Sequence, residues 1–195
     1  MVRETKALVV LSGGKSSRFG ANKGLFEFEG VPLVKRVIDS LAPLSDSIVV
    51  SVAPGQSSEY RKILRKPIRI IEDSEAYQGP LFGLKDAIRF VLDDVILLSA
   101  CDMPFIRADL YSQMLDKLND HDAVMPILGG FHEPLTAVYR IPSLKRAIKL
   151  AVGEANTKIS SILGHLDVLG LPEDDLKEMG IDLDSLTNMN KPPSK

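Results

Sequence analysis

The chain has 195 residues, the size of one domain, since domains commonly run ~100–200 residues. Its 24 Lys and Arg against 26 Asp and Glu leave a net charge of −2, which excludes bulk electrostatic attraction to nucleic acid or to an anionic membrane. The single cysteine, Cys101, excludes an intramolecular disulfide and fits a reducing compartment.

The first apolar run, Ala7–Leu11, is far short of the ~20 residues that span a bilayer and lacks the pattern of a signal peptide. A cytoplasmic protein is expected. Further runs follow at Ile48–Val52, Ile68–Ile71, Val95–Leu98, Ala123–Leu128 and Leu135–Tyr139. They are rich in Val, Ile and Leu and apolar on both faces, as suits central strands covered on each side by helices. Between the runs lie helical patterns. In Pro32–Leu44 the apolar residues repeat at three and four, with Pro32 suited to the first turn, and Leu81–Leu92 and Leu110–Leu118 follow the same rule. Phe26–Phe28 reads as a small side strand.

This alternation predicts an α/β fold of three layers with a mostly parallel, Rossmann-like sheet and right-handed crossovers. A single domain is expected over residues 1–190. The tail, residues 191–195, carries Pro192 and Pro193 and is expected to be flexible.

After the first strand comes Leu11-Ser-Gly-Gly-Lys-Ser-Ser-Arg-Phe-Gly20, then Ala21-Asn-Lys-Gly24. Gly13 and Gly14 let the backbone approach a ligand closely, and successive peptide N–H groups in such a turn make an anion nest. Lys15, Arg18 and Lys23 add cations to it, and in open α/β sheets the ligand crevice lies at this end of the strands. Two better-known phosphate loops are excluded. A Walker A loop ending at Gly14-Lys15-Ser16 needs glycine at position 9, where Val9 stands, and the next glycine at 20 breaks a G-x-G-x-x-G pattern.

The series L-S-G-G-K-S-S-R-F-G-x-N-K-G resembles the signature loop of the nucleotidyltransferases, L-A-x-G-x-[AGS]-x-R-[MF]-G-x-x-K. Its Gly-Gly form is similar to that of the molybdenum cofactor guanylyltransferases. The resemblance continues along nearly the whole chain in the same order: Glu72-Asp-Ser74 with Gly79-Pro-Leu-Phe-Gly83, Cys101-Asp-Met-Pro-Phe105, Phe131-His-Glu-Pro-Leu-Thr-Ala-Val-Tyr139, and Leu186-Thr-Asn-Met-Asn190. It departs in Ser12 where alanine is usual, in Asn22 where aspartate is frequent, and in Lys191-Pro-Pro where the family has Thr-Pro-Glu.

What the resemblance implies is a sheet of the nucleotide-diphospho-sugar transferase type and transfer of GMP from GTP to the phosphate of the molybdenum–molybdopterin cofactor, with release of pyrophosphate. Leu11, Ser12, Gly13 and Gly14 would cradle the nucleotide, with the Ser12–Gly14 amides, Arg18 and Lys23 neutralising the departing phosphates. Asp73 would fix the nucleoside beside the Gly79–Pro80 turn. Asp102 would hold Mg²⁺, a role that a carboxylate at the end of a central strand suits chemically. Asn188 and Asn190 are candidates to add an amide there. His132 faces the pterin side in the family but also reads as a surface loop residue. Tyr139 reads as core, and Cys101 as structural. Transient contact with proteins that deliver or accept the cofactor is implied as well. Open beside this are a relative using another base or acceptor, cytidylyltransferase or sugar-phosphate type, and a nucleotide-binding adaptor without turnover.

Overall fold

The computed structural model describes residues 3–14, 22–64, 67–75 and 78–189. The chain opens with β1 (Lys6–Leu11), a single 3-10 turn at Lys23–Leu25, and a small hairpin of β2 (Glu27–Phe28) and β3 (Val31–Pro32). The first long helix is α1 (Leu33–Leu41), and all five of its periodic residues, Leu33, Val34, Val37, Ile38 and Leu41, are buried. Pro32 stands just before the helix and not in its first turn, because it still pairs with Glu27 across the hairpin. There follow β4 (Ser47–Val52), α2 (Ser57–Ile63), β5 (Arg69–Glu72) and α3 (Pro80–Ala87), which Pro80 opens. Then come β6 (Val95–Ala100), α4 (Ala108–Asp116), β7 (Ala123–Leu128), β8 (Phe131–His132), β9 (Thr136–Arg140), α5 (Ile141–Gly153), β10 (Val168–Pro172) and α6 (Glu173–Glu178).

The main sheet has the order β10-β7-β9-β6-β1-β4-β5, with β8 beside β7. Its strands are parallel except β9, which runs antiparallel to both β6 and β7, and the short β8. The reversal begins at Gly129–Gly130, with φ of 56° and 82°. Two consecutive positive φ values are what a tight hairpin turn demands, and glycine reaches them without strain. Strand β10 is an addition to the expected set.

Both faces of the sheet are covered, which is why its strands are apolar throughout. Leu8 and Val10 of β1 point into a core with α1, α4, α6 and Tyr60 of α2. Ala7, Val9 and Leu11 point into a second core with α3 and α5. The layers are helix, sheet, helix.

The amino ends of the strands are tied by aspartates that immediately precede them. Asp46, before β4, accepts from the Lys6 N–H at 3.0 Å; Asp94, before β6, accepts from the Thr5 N–H at 2.8 Å. Asp122, before β7, accepts from the Asp167 N–H at 3.0 Å, at the entrance to β10. Each carboxylate satisfies a neighbouring strand's first amides and sets the stagger between the pair. The opposite, carboxyl ends of β1, β4, β5 and β6 carry the loops that frame a cleft. Because β9 runs the other way, its starting end, with Leu135 before it, also borders that cleft.

Candidate active site

The cleft has a volume of about 400 Å³. Past the end of β1 the chain stays anchored on both sides. The Leu11 carbonyl accepts from the Cys101 N–H at 3.0 Å, and the Ser12 N–H donates to the Ser51 carbonyl at 2.7 Å. The Ser12 amide is therefore engaged by β4, which corrects the expectation that it serves a phosphate. Gly13 and Gly14 answer different constraints. A side chain at Gly13 would collide with the Asp73 carboxylate, whereas one at Gly14 would meet nothing within 4 Å among the described residues.

Lys23 sits on the 3-10 turn that Asn22 caps, its side-chain carbonyl accepting from the Gly24 N–H at 3.1 Å. From there the Lys23 ammonium reaches the Asp102 carboxylate at 2.6 Å. The two side chains are 19% and 21% exposed, so water screens the pair only in part. Asp102 lies just beyond β6, and its backbone carbonyl accepts from the Met189 N–H at 2.8 Å, which returns the end of the described chain to this carboxylate.

Asp73 follows β5, its N–H bonded to the Val52 carbonyl at 2.9 Å and its carboxylate accepting from the Ser51 hydroxyl. Burial raises its pKa above the usual carboxylate value, opposed by the Ser51 hydrogen bond and reinforced by the charge of Asp86. Asp86, itself buried on α3, accepts from the Ser74 N–H at 2.7 Å and so shapes the loop after Asp73. Gly79 then takes φ of 100°, a conformation that side chains rarely adopt, and delivers Pro80 to the helix start.

Leu11, Ser12, Gly13, Gly14, Lys23, Asp73, Gly79, Pro80 and Asp102, expected on separate segments, all line this one cleft. Leu135, from the Phe131–Tyr139 motif, joins them, as do Ser51, Glu75 and Gln78, which the matched motifs did not include; of these three only Ser51, a polar residue inside an apolar strand, left a trace in the sequence. His132 is exposed on β8 and is absent from the lining. Asn188 is exposed, precedes Met189 in the chain, and is absent from the lining. Arg18, Lys15 and Asn190 lie outside the described residues, as does the tail. Cys101 is buried beside Asp102, and burial, with that neighbouring charge, pushes its thiol up to about 12, so it is no nucleophile near neutral pH. Tyr139 is buried, its hydroxyl bonded to the Pro134 carbonyl at 2.7 Å. No helix among the described residues is long and apolar enough to cross a membrane.

The donor set can be tested for Mg²⁺. Among the described residues no three His, Cys, Asp or Glu side chains converge into a protein cage. Mg²⁺ commonly takes only one or two carboxylates and completes its shell with phosphate oxygens and water. A single cleft carboxylate such as Asp102, already balanced by a cation, fits an ion bound together with a nucleotide.

Comparison with known proteins bears on the same residues. A family profile described as "MobA-like NTP transferase domain" matches residues 8–168. A probable molybdenum cofactor guanylyltransferase of Bacillus licheniformis is 31% identical over 186 residues, covering 94% of this chain and 91% of the relative. One from Methanosarcina acetivorans is 28% identical, covering 96% and 87%. The crystal structure of molybdopterin-guanine dinucleotide biosynthesis protein A from Archaeoglobus fulgidus superposes with a TM-score of 0.77 at 24% identity, over 95% of this chain and 93% of that one, and has the same fold.

Proposed function

The chain belongs to the MobA-like NTP transferase family, and from that premise we propose that it transfers GMP from GTP to the phosphate of the molybdenum–molybdopterin cofactor, releasing pyrophosphate, as a cytoplasmic enzyme. What carries the reading is the convergence of the expected nucleotide residues on one cleft in a chain similar over nearly its whole length to proteins of that name.

The reaction is an in-line displacement. An oxygen of the acceptor phosphate bonds to the α-phosphorus, and the bond to the pyrophosphate oxygen breaks. The acceptor is already ionised near neutral pH, so the protein is asked for no general base, and positioning and charge neutralisation dominate. Gly13 and Gly14 let the backbone lie close against the phosphates. Lys23 leaves Asp102 for the triphosphate and neutralises charge on the leaving group. Asp102 would hold Mg²⁺, which when bound would supply charge neutralisation to the phosphates. Asp73 and the Gly79–Pro80 turn bind the nucleoside, and Leu135 at the start of β9 faces the acceptor side.

Base selection tests the specific reading. A site built around guanine's donors rejects a base lacking them, because its own polar groups are left unpaired. GTP should bind at least ~100-fold more tightly than ATP or CTP, the equivalent of two buried hydrogen bonds. Calorimetric titration of the three, with an assay of pyrophosphate release on the pterin acceptor, decides it. CTP binding as tightly as GTP would make the protein a cytidylyltransferase, and GTP binding without turnover would make it an adaptor.

A further inference from the structure

Tyr60 of α2 is fully buried, yet its hydroxyl reaches two polar side chains of the nucleotide loop. It lies 2.5 Å from the Ser12 hydroxyl and donates to the Asn22 side-chain carbonyl at 2.8 Å. Proton accounting fixes the directions. The one phenolic proton goes to Asn22, so Ser12 donates to Tyr60. The Asn22 carbonyl accepts a second bond from the Gly24 N–H, and its amide donates to the Gln56 side chain at 2.8 Å. Gly24 packs directly on this group, since a side chain there would collide with both the Ser12 and Tyr60 hydroxyls. Burial pushes the Tyr60 phenol above its ordinary value, so it remains a proton donor.

Ser12 lies at one end of the nucleotide loop and Asn22 at the other. One hydroxyl therefore clasps the two ends, and the second end carries Lys23. We propose that Tyr60 is a positioning residue for nucleotide transfer: its hydroxyl, bonded to Ser12 and Asn22, ties the end of β1 to the turn at Lys23–Leu25 and aims Lys23 into the cleft. The inference rests on the reading of Lys23 as a contact to the triphosphate. With the clasp intact, the turn that carries Lys23 is held in place before the nucleotide binds; without it, binding must also fix that turn, and affinity falls. The departure at position 22 keeps the clasp, because asparagine presents the same accepting oxygen as aspartate.

The test is a double-mutant cycle read by calorimetry with GTP and with GMP, which lacks the two terminal phosphates. Tyr60→Phe should weaken GTP binding about tenfold while changing GMP binding less than about twofold, the scale of one lost hydrogen bond. In a Lys23→Ala background the same change should have no further effect on GTP, because the clasp acts through the lysine. Asn22→Ala, which removes the acceptor at a partly exposed position without touching the core, should reproduce the pattern; thermal unfolding verifies that each variant is folded. Equal weakening of GTP and GMP, or an undiminished effect in the Lys23→Ala background, would leave Tyr60 an ordinary core residue and overturn the proposal alone. A Lys23→Ala protein that binds GTP as the parent does would overturn both the clasp and the triphosphate role of Lys23.

Discussion

The ion pair between Lys23 and Asp102 balances the charge of each. Replacing Asp102 by asparagine keeps the size but turns one accepting oxygen into an N–H donor and removes the negative charge that a divalent cation requires. Asp102→Asn should unfold at nearly the parent temperature and retain less than a tenth of the pyrophosphate-release rate, a loss above ~1.4 kcal/mol of transition-state stabilisation. A variant turning over at half the parent rate would remove Asp102 from the chemistry. Lys23, Asp73 and Asp102 are readable in the sequence because each stands in a contiguous motif at the end of an apolar run. Ser51, Tyr60 and Asp86 are not. Their hydrogen bonds to Asp73, Ser12 and Ser74 span 22, 48 and 12 residues, and no local pattern encodes such a pairing. The Ser12 amide misled for the same reason. A loop amide looks ready for a ligand until the strand beside it is known.

Among the elements, the six apolar runs all became strands, but their directions were not written in them. An apolar run such as Leu135–Tyr139, which forms most of β9, does not state its direction, and only the Gly129–Gly130 turn before it signals the reversal. Strand β10 hid because its sequence, Val-Leu-Gly-Leu-Pro, carries a glycine and a terminal proline that argue against a strand. Its place beside β7 depends on Asp122, whose carboxylate also takes the Ser143 hydroxyl of α5 and lies 3.7 Å from Arg146. Burial alone would raise the pKa of this carboxyl. The Ser143 hydroxyl, the Asp167 amide and the two arginines, Arg146 and Arg140, outweigh it, and the value is lowered. The sign follows from linkage. A lowered carboxyl contributes stability above its unfolded pKa and loses it as pH falls through its folded one. Asp122→Ala should therefore lower the urea-unfolding free energy at pH 7 by about 1–3 kcal/mol, with GTP affinity unchanged. The gap to the parent should narrow as the pH drops below the ordinary carboxylate range. A gap that stayed constant down to strongly acidic pH would assign the loss to packing instead of charge.

At the scale of the whole molecule the two ends of the sheet do different work. Asp46, Asp94 and Asp122 hold the strands in register from the amino ends, while Lys23, Asp73 and Asp102 stand in loops at the other. Inheritance can therefore treat the two ends separately. Loops at the carboxyl ends are interchangeable modules on a chassis whose alignment they do not set, so a family can diversify its substrates by exchanging them. Transplanting residues 73–79, which connect β5 to α3, from a CTP-using nucleotidyltransferase into this chain should then move base preference toward CTP while cooperative unfolding is retained. Loss of cooperative unfolding in the chimaera would mean that the chassis and its loops are inherited as one piece.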